Sequence, residues 1–92
     1  MTKSLNVMLY GEPTNNAVLK IPSRQNPGVL IQADTLANLV EQAGDLAALI
    51  VKRVPDDDEL RGEADALHEQ LNEILEGLKL EVGRAGEQLA IG

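Results

Sequence analysis

The sequence contains no cysteine, phenylalanine or tryptophan, and Tyr10 is its only tyrosine. The lack of cysteine excludes disulfides and thiolate metal sites and is compatible with a reducing compartment. Without large aromatic rings, Leu, Ile, Val and Ala must form the core. Since a domain of this size buries only about 60 to 65% of the surface of its unfolded chain, self-association, most simply as a homodimer, is an expected source of further burial.

Long apolar runs are also missing. No stretch approaches the roughly 18 uninterrupted apolar residues of a membrane-spanning helix. Residues 1–13 lack the apolar segment and small-residue cleavage site of a signal peptide. We therefore expect a soluble cytoplasmic protein that does not bind a membrane.

Basic residues are few, and the formal net charge is -7. Residues 1–33 carry three bases against one acid, whereas residues 34–92 carry five bases against fourteen acids. Phosphate binding needs clustered Lys and Arg, so this balance disfavours DNA, RNA and anionic lipid as partners. A basic protein is the partner class that the charge favours.

Alternating apolar residues predict two neighbouring strands, at about residues 4–10 and 16–21. The residues that alternate are Leu5, Val7, Leu9, Ala17, Leu19 and Ile21. A turn-forming cluster, GEPTNN, joins the two runs, and Pro22 ends the second. A third strand is expected at about 29–33, after a type II turn in which Gly28 would take a positive φ.

The apolar spacing changes to about 3.6 residues after Asp34 or Thr35, either of which would cap a helix over about 35–54. Its stripe is expected to contain Leu36, Leu39, Ala43, Leu46 and Ile50, with Val40, Ala47 and Val54 on one flank. Gly44 weakens this helix unless a neighbour packs closely against it. Pro55 ends the helix, because the residue before proline avoids the α region.

A second helix is expected over about 57–82, with acids in its first turn and Gly83 ending it before a tail of residues 83–92. Its stripe would contain Leu60, Ala64, Leu67, Leu71, Ile74 and Leu78, with Leu75 and Val82 on the flank. The connection between the helices is short, which predicts an antiparallel hairpin.

The sequence thus predicts a single α+β domain over residues 1–92. Its fold is a three-stranded antiparallel β-meander followed by an antiparallel two-helix hairpin packed on one sheet face. The covered face would be lined by Leu5, Val7, Leu9, Leu19 and Ile31.

The run NAVLKIPSRQNPGVLIQADTL, residues 16–36, resembles a pattern of a family of small, uncharacterised bacterial proteins, a domain of unknown function. The matching residues are Asn16, Ala17, Val18, Pro22, Arg24, Pro27, Gly28, Val29, Gln32, Asp34 and Leu36. The resemblance implies a shared fold and a bacterial origin, and it implies nothing about catalysis.

Groups for catalysis or cofactor binding are scarce. His68 is the only histidine, and the positions where a second helical metal ligand would stand hold Leu71 and Asn72. We interpret His68 as a partly exposed helix residue. The consecutive acids of residues 56–59 point in different directions and favour a charge cluster at a helix start. No phosphate-binding glycine motif is present, so we expect a protein without catalytic residues, metal or cofactor.

Polar residues in two places are candidates for binding. Arg24, Gln25 and Asn26 offer a guanidinium and two amides that suit carboxylate, phosphate or main-chain recognition. The alternative is a structural corner, in which Arg24 pairs with an acid of the helical hairpin. The other residues of this corner would only turn, align and cap the chain: Pro22, Pro27, Gly28 and Asp34. A second group, Glu69, Glu73 and Glu76, lies on an acidic outer helix face that either engages a basic partner or only solvates the helix.

Three function classes remain open at this level. The first is a non-enzymatic protein-binding module, immunity- or antitoxin-like toward a basic protein. The second is a sensor of a nucleotide or metabolite that uses Tyr10, Lys20 and Arg24 in a pocket between sheet and helices or at a dimer seam. The third is a purely structural oligomer.

Overall fold

The computed structural model describes residues 3–12 and 16–89. The element order is β1 (Met8–Tyr10), β2 (Val18–Lys20), β3 (Gly28–Val29), α1 (Ala33–Arg53) and α2 (Asp58–Arg84). The chain divides into two compact units, Met1–Gln32 with the sheet and Ala33–Gly92 with the helices. The predicted α+β layout is confirmed. Packing of the hairpin on a sheet face, and one domain over residues 1–92, stay predictions.

The sheet is an antiparallel meander of order β1-β2-β3, as predicted. Its pairs are Met8 with Lys20, Leu9 with Leu19, Tyr10 with Val18, Val18 with Val29 and Leu19 with Gly28. The strands are only two or three residues long, much shorter than predicted. Gly11 ends β1 in the left-handed region (φ 75°). Pro22 follows β2 in a turn in which the Arg24 N–H donates to the Ile21 carbonyl (2.9 Å).

The predicted role of Gly28 is wrong, because this residue lies in β3 without a positive φ. It pairs with Leu19, so the alternation of side chains puts Leu30 in line with the Leu19 face. The Leu30 N–H continues the pairing by donating to the Ala17 carbonyl (2.8 Å). Ile31 lies beyond β3, so its expected place on that face stays a prediction.

Aspartates lie at the start of both helices, and the start of α1 differs from the prediction. Helix α1 begins at Ala33, so Asp34 lies inside its first turn, where its Oδ1 accepts from the Thr35 N–H (2.9 Å). Asp57 is the N-cap of α2, and its Oδ1 accepts from the Leu60 N–H (3.0 Å). This bond satisfies one of the free amides at the helix start.

Helix α2 ends at Arg84, with Ala85 as its C-cap, beyond the predicted stop at Gly83. Gly83 is helical, whereas Gly86 adopts φ 77°. The Gly86 N–H donates to the Gly83 carbonyl (3.0 Å) and the Glu87 N–H to the Val82 carbonyl (3.1 Å). This is a Schellman motif, which satisfies the last carbonyls of the helix.

Large and small aliphatic residues together form the seam between α1 and α2. The buried residues are Leu36, Val40, Ala43 and Ala47 on α1 and Leu75 on α2. Leu36 and Val40 cluster with Leu75, near the end of α2. Gly44, further along α1, lies against His68, which is earlier in α2. This reversed order confirms the antiparallel hairpin.

The apolar stripe of each helix is rotated relative to the prediction. Val40, Ala47 and Leu75, assigned to the flanks, lie in the seam, whereas Leu39 and Leu46 of α1 are 38% and 51% exposed. In α2, Leu60, Leu67 and Ile74 are also exposed. One part of the seam is formed by the small residues Ala43 and Ala47, with Gly44 close to His68. The cluster of Leu36, Val40 and Leu75 forms another part.

Candidate functional site

The loop after β2 contributes to an open hollow in the sheet unit. The turn closed by the Arg24–Ile21 hydrogen bond (2.9 Å) positions the Arg24 side chain, because Pro22 fixes its own φ near the value that such turns need. The hollow has a volume of about 380 Å³. It is lined by Leu19, Ile21, Arg24, Asn26, Gly28, Val29 and Leu30. Its lining is thus aliphatic apart from one guanidinium and one amide.

The chemistry of this hollow suits an apolar group that stands next to a carboxylate. A guanidinium donates two parallel hydrogen bonds to a carboxylate, and the Asn26 amide can both donate and accept. Within the described residues the ion pairs are Arg61–Asp58, Lys79–Glu76 and Arg84–Glu81. None of them involves Arg24, and the alternative of a structural corner stays a prediction.

An edge strand adjoins the same hollow. Strand β3 is last in the order β1-β2-β3, and no other strand of the described residues pairs with its outer side. Edge strands can pair with an extended peptide through main-chain hydrogen bonds. A Cβ at Gly28 of β3 would meet no atom within 4 Å, which leaves space for such a segment.

The structure separates the other residues proposed for a small-ligand pocket. Because Lys20 pairs with Met8 and Tyr10 with Val18, Tyr10 and Lys20 lie on the sheet face opposite Leu9 and Leu19. Lys20 lines a second open hollow of about 560 Å³ together with Asn6, Val7, Met8 and Pro22. Gln25 is exposed and lines neither hollow. Tyr10, Lys20 and Arg24 therefore do not share one hollow.

The acidic residues of α2 face solvent, as predicted. Glu69, Glu73 and Glu76 are exposed, and their spacing of four and three residues stacks them on one side of the helix. Glu76 also pairs with Lys79 (3.5 Å) within the same helix. These carboxylates form a surface, not a concave site.

His68 is a packing residue of the helix seam. A Cβ at Gly44 would lie only 3.1 Å from its Nε2 atom, so the absence of a side chain at Gly44 makes room for the ring. Among residues 3–12 and 16–89, no three His, Cys, Asp or Glu side chains are grouped so that they could hold a metal ion. The same residues contain no helix with the length and apolar character needed to cross a bilayer.

Sequence reasoning identified Arg24 and Asn26 but missed the aliphatic lining beside them. Leu19, Ile21 and Leu30 were assigned to strands without reference to the loop. The available signal was the turn at Pro22, which brings the loop back next to the strand that precedes it.

Comparison with known proteins bears on family membership. No curated protein and no solved structure matches the chain. The sequence profile of a family of unknown function, DUF6959, matches residues 2–89. This range includes β1 to β3, both helices and the run of residues 16–36. The chain therefore belongs to the family of unknown function DUF6959.

Proposed function

We propose that the chain is a non-enzymatic, cytoplasmic protein-binding module that holds a segment of a partner in the hollow beside Arg24. The observation that carries this proposal is the aliphatic lining of the hollow, interrupted only by Arg24 and Asn26. Such a lining, with a few convergent polar groups, is typical of recognition sites. The absence of cysteine is compatible with a reducing compartment.

The chemistry of the partner segment follows from the lining. An aliphatic side chain would fill the space between Leu19, Ile21 and Leu30, and a neighbouring carboxylate would bind Arg24. The carboxylate belongs to an Asp, a Glu or a chain terminus. Main-chain pairing with the free side of β3 would hold the segment in an extended conformation.

Peptide selection on the immobilised full-length chain tests this proposal. From a library of random heptapeptides, we expect the selected sequences to be enriched in Leu, Ile or Val next to a carboxylate. Arg24→Gln should weaken a selected peptide about 10- to 100-fold, the range of a charge-assisted hydrogen-bonded pair. Gly28→Val should block the hollow without changing the charge. Lys20→Gln, on the opposite face, is the matched control and should leave binding unchanged.

Two outcomes would count against this site. One is a lack of enrichment, and the other is enrichment that Arg24→Gln leaves unaltered. A thermal-shift screen with nucleotides and metabolites separates the sensor alternative, since a ligand of the native state raises the Tm. A Tm rise that Arg24→Gln abolishes would reassign the hollow to a small molecule.

The exposed row of Glu69, Glu73 and Glu76 supports a second candidate, an immunity- or antitoxin-like role toward a basic protein. Opposite charge speeds encounter and disfavours wrong partners. A pull-down from native lysate should recover a basic protein at low salt and lose it at high salt. Glu→Gln changes at all three positions should reduce recovery, whereas Glu41→Gln with Asp45→Asn on α1 should not. Recovery that ignores salt would exclude this surface.

A further inference from the structure

A row of exposed aliphatic side chains runs along one side of the helical hairpin. It consists of Leu39, Leu46, Leu60, Leu67 and Ile74, which are 38, 51, 41, 50 and 56% exposed. We call this row the aliphatic flank. In the sequence, Leu39, Leu46 and Ile74 each stand immediately before a buried residue of the seam. Leu67 stands before His68, which packs against Gly44 in the seam, and Leu60 stands seven residues before Leu67.

The members lie on the same side of the hairpin although they come from two helices. One position in an α-helix is a rotation of about 100°, so each member is turned away from the seam by a similar angle and in the same sense. In the antiparallel second helix the chain runs the opposite way, and the seam lies in the opposite direction from the helix axis. The two reversals cancel. Equal offsets in the two helices therefore point to one common side.

We propose that the aliphatic flank is the contact surface between two copies of this chain, which associate as an antiparallel four-helix bundle. A two-helix seam needs apolar residues at two of every seven positions, whereas a helix inside a bundle carries a third. The flank supplies this third position at steps of seven residues: Leu39 and Leu46 on α1, and Leu60, Leu67 and Ile74 on α2.

The small core of the hairpin gives a second reason for a second copy. Ala43 and Ala47 make up half of the buried set on α1, and among the described residues no side chain is less than 2% exposed. Small units with such limited cores usually gain stability from oligomerisation, metals or disulfides. This chain has no cysteine, and its described residues contain no metal-binding group.

Charges at the ends of the flank set the orientation of the two copies. The spacing of seven continues to Arg53, at the loop end of the hairpin, and to Glu81, at the open end. If the copies are antiparallel, Arg53 of one copy lies at the same end of the bundle as Glu81 of the other. A parallel arrangement would instead collect both Arg53 residues at one end and both Glu81 residues at the other. Glu81 pairs with Arg84 of its own helix through one carboxylate oxygen (3.1 Å), and its other oxygen can accept from Arg53 of the second copy. Opposite charges thus favour the antiparallel bundle.

Sedimentation velocity of the full chain tests the contact surface. We expect a dimer, and Leu67→Asp should raise its dissociation constant at least about 100-fold, because two buried unpaired charges are introduced by symmetry. Leu80→Asp is the matched control, since Leu80 is 54% exposed but lies on the other side of α2. It should leave the dimer intact. Far-UV circular dichroism should show that both variants keep their helices.

Other results would overturn the proposal. A wild-type chain that stays monomeric at all concentrations would contradict the dimer. Its aliphatic flank would then be covered by another part of the chain or stay exposed. In that case, Leu67→Asp should be checked for altered hydrogen exchange in residues 1–32, which would identify the sheet unit as the cover. Equal weakening of the dimer by Leu67→Asp and Leu80→Asp would exclude the flank as the interface.

Cross-linking tests the orientation, because the chain has no cysteine of its own. Chains with Arg53→Cys and chains with Glu81→Cys are mixed and treated with a short bis-maleimide. The antiparallel bundle predicts that mixed 53–81 products dominate over 53–53 and 81–81 products. Dominant 53–53 products would exclude the antiparallel arrangement. Leu67→Asp in both chains is the control and should abolish the mixed product.

Discussion

The helical hairpin and the sheet unit use the same aliphatic residues but bury them to different extents. In the hairpin, Leu36 and Leu75 are only 4% and 5% exposed. In the sheet unit, Leu9 is 44% and Val29 is 59% exposed. Among the described residues of this unit, only Ala17 is buried. A helix satisfies its own hydrogen bonds, so two helices suffice to make a seam, whereas strands of two or three residues share few bonds. Stability should therefore be concentrated in the hairpin.

The largest expected effect tests this difference directly. Leu75→Ala should lower the free energy of unfolding by about 2 to 4 kcal/mol, because it removes a buried side chain of the seam and leaves a cavity. Leu9→Ala in the sheet should cost less than about 1 kcal/mol, since much of that side chain already contacts solvent. Denaturant titration monitored by circular dichroism measures both values. The protein concentration must be held fixed, because the proposed dimerisation would contribute to the apparent stability.

A matched control sharpens this prediction. Leu80→Ala removes the same side chain from the same helix, at a position that is 54% exposed. It should have little effect. Similar losses for Leu75→Ala and Leu9→Ala would mean that the two units share the stability, and the comparison would fail.

The helices were predictable because their signal repeats over many turns. Apolar residues at steps of three and four fixed two helices, and Pro55 fixed the break between them. The same steps describe two neighbouring stripes equally well, one through Leu39 and Leu46 and one through Val40 and Ala47. The sequence pattern alone favours the larger residues. In the structure, the stripe through Val40 and Ala47 lies in the seam, where Gly44 packs against His68. This packing depends on both helices, so the pattern of one helix does not reveal it.

Replacing either of two glycines near the end of α2 by alanine should change the stability, in opposite directions for the two positions. Gly86 has φ 77°, a conformation that costs a residue with a Cβ about 1 to 2 kcal/mol. Gly86→Ala should therefore destabilise the chain by this amount. Gly83 is helical, and a Cβ there meets no atom within 4 Å. Gly83→Ala should stabilise by about 0.5 to 1 kcal/mol. Thermal unfolding of the two variants measures the difference, and a loss of stability in Gly83→Ala would place the helix end back at residue 83.

A comparison of two helical glycines tests the close approach in the seam. Gly77→Ala meets open space and should gain about 1 kcal/mol from helix propensity. Gly44→Ala should gain less, or lose stability, because its Cβ would lie 3.1 Å from His68 Nε2. Repeating both changes in a His68→Ala background should remove most of the difference between them. Such a double-mutant cycle isolates the contact, and a difference that persists would mean that His68 is not its cause.

The strands and the candidate site were less predictable than the helices. Short strands offer few alternating residues, so the pattern overestimated their length and extended the third strand to Ile31, which lies beyond β3. Arg24 and Asn26 were found because their polar groups stand out beside Pro22. The lining by Leu19, Ile21 and Leu30 depends on the pairing of Gly28 with Leu19, which the sequence does not specify.

The smallest expected effect lies in the sheet unit, at Pro22. This residue precedes the turn hydrogen bond from the Arg24 N–H to the Ile21 carbonyl (2.9 Å), and it restricts the unfolded chain. Pro22→Ala should cost about 0.4 to 1 kcal/mol at most. Because the strands are short, we expect the loss as faster hydrogen exchange of Arg24 and Leu30, with the amides of α1 and α2 unchanged. Weaker binding of a selected peptide should accompany it, since Arg24 would lose its fixed position. Equal acceleration in the helices would show that the turn supports both units, and the contrast between them would then have to be given up.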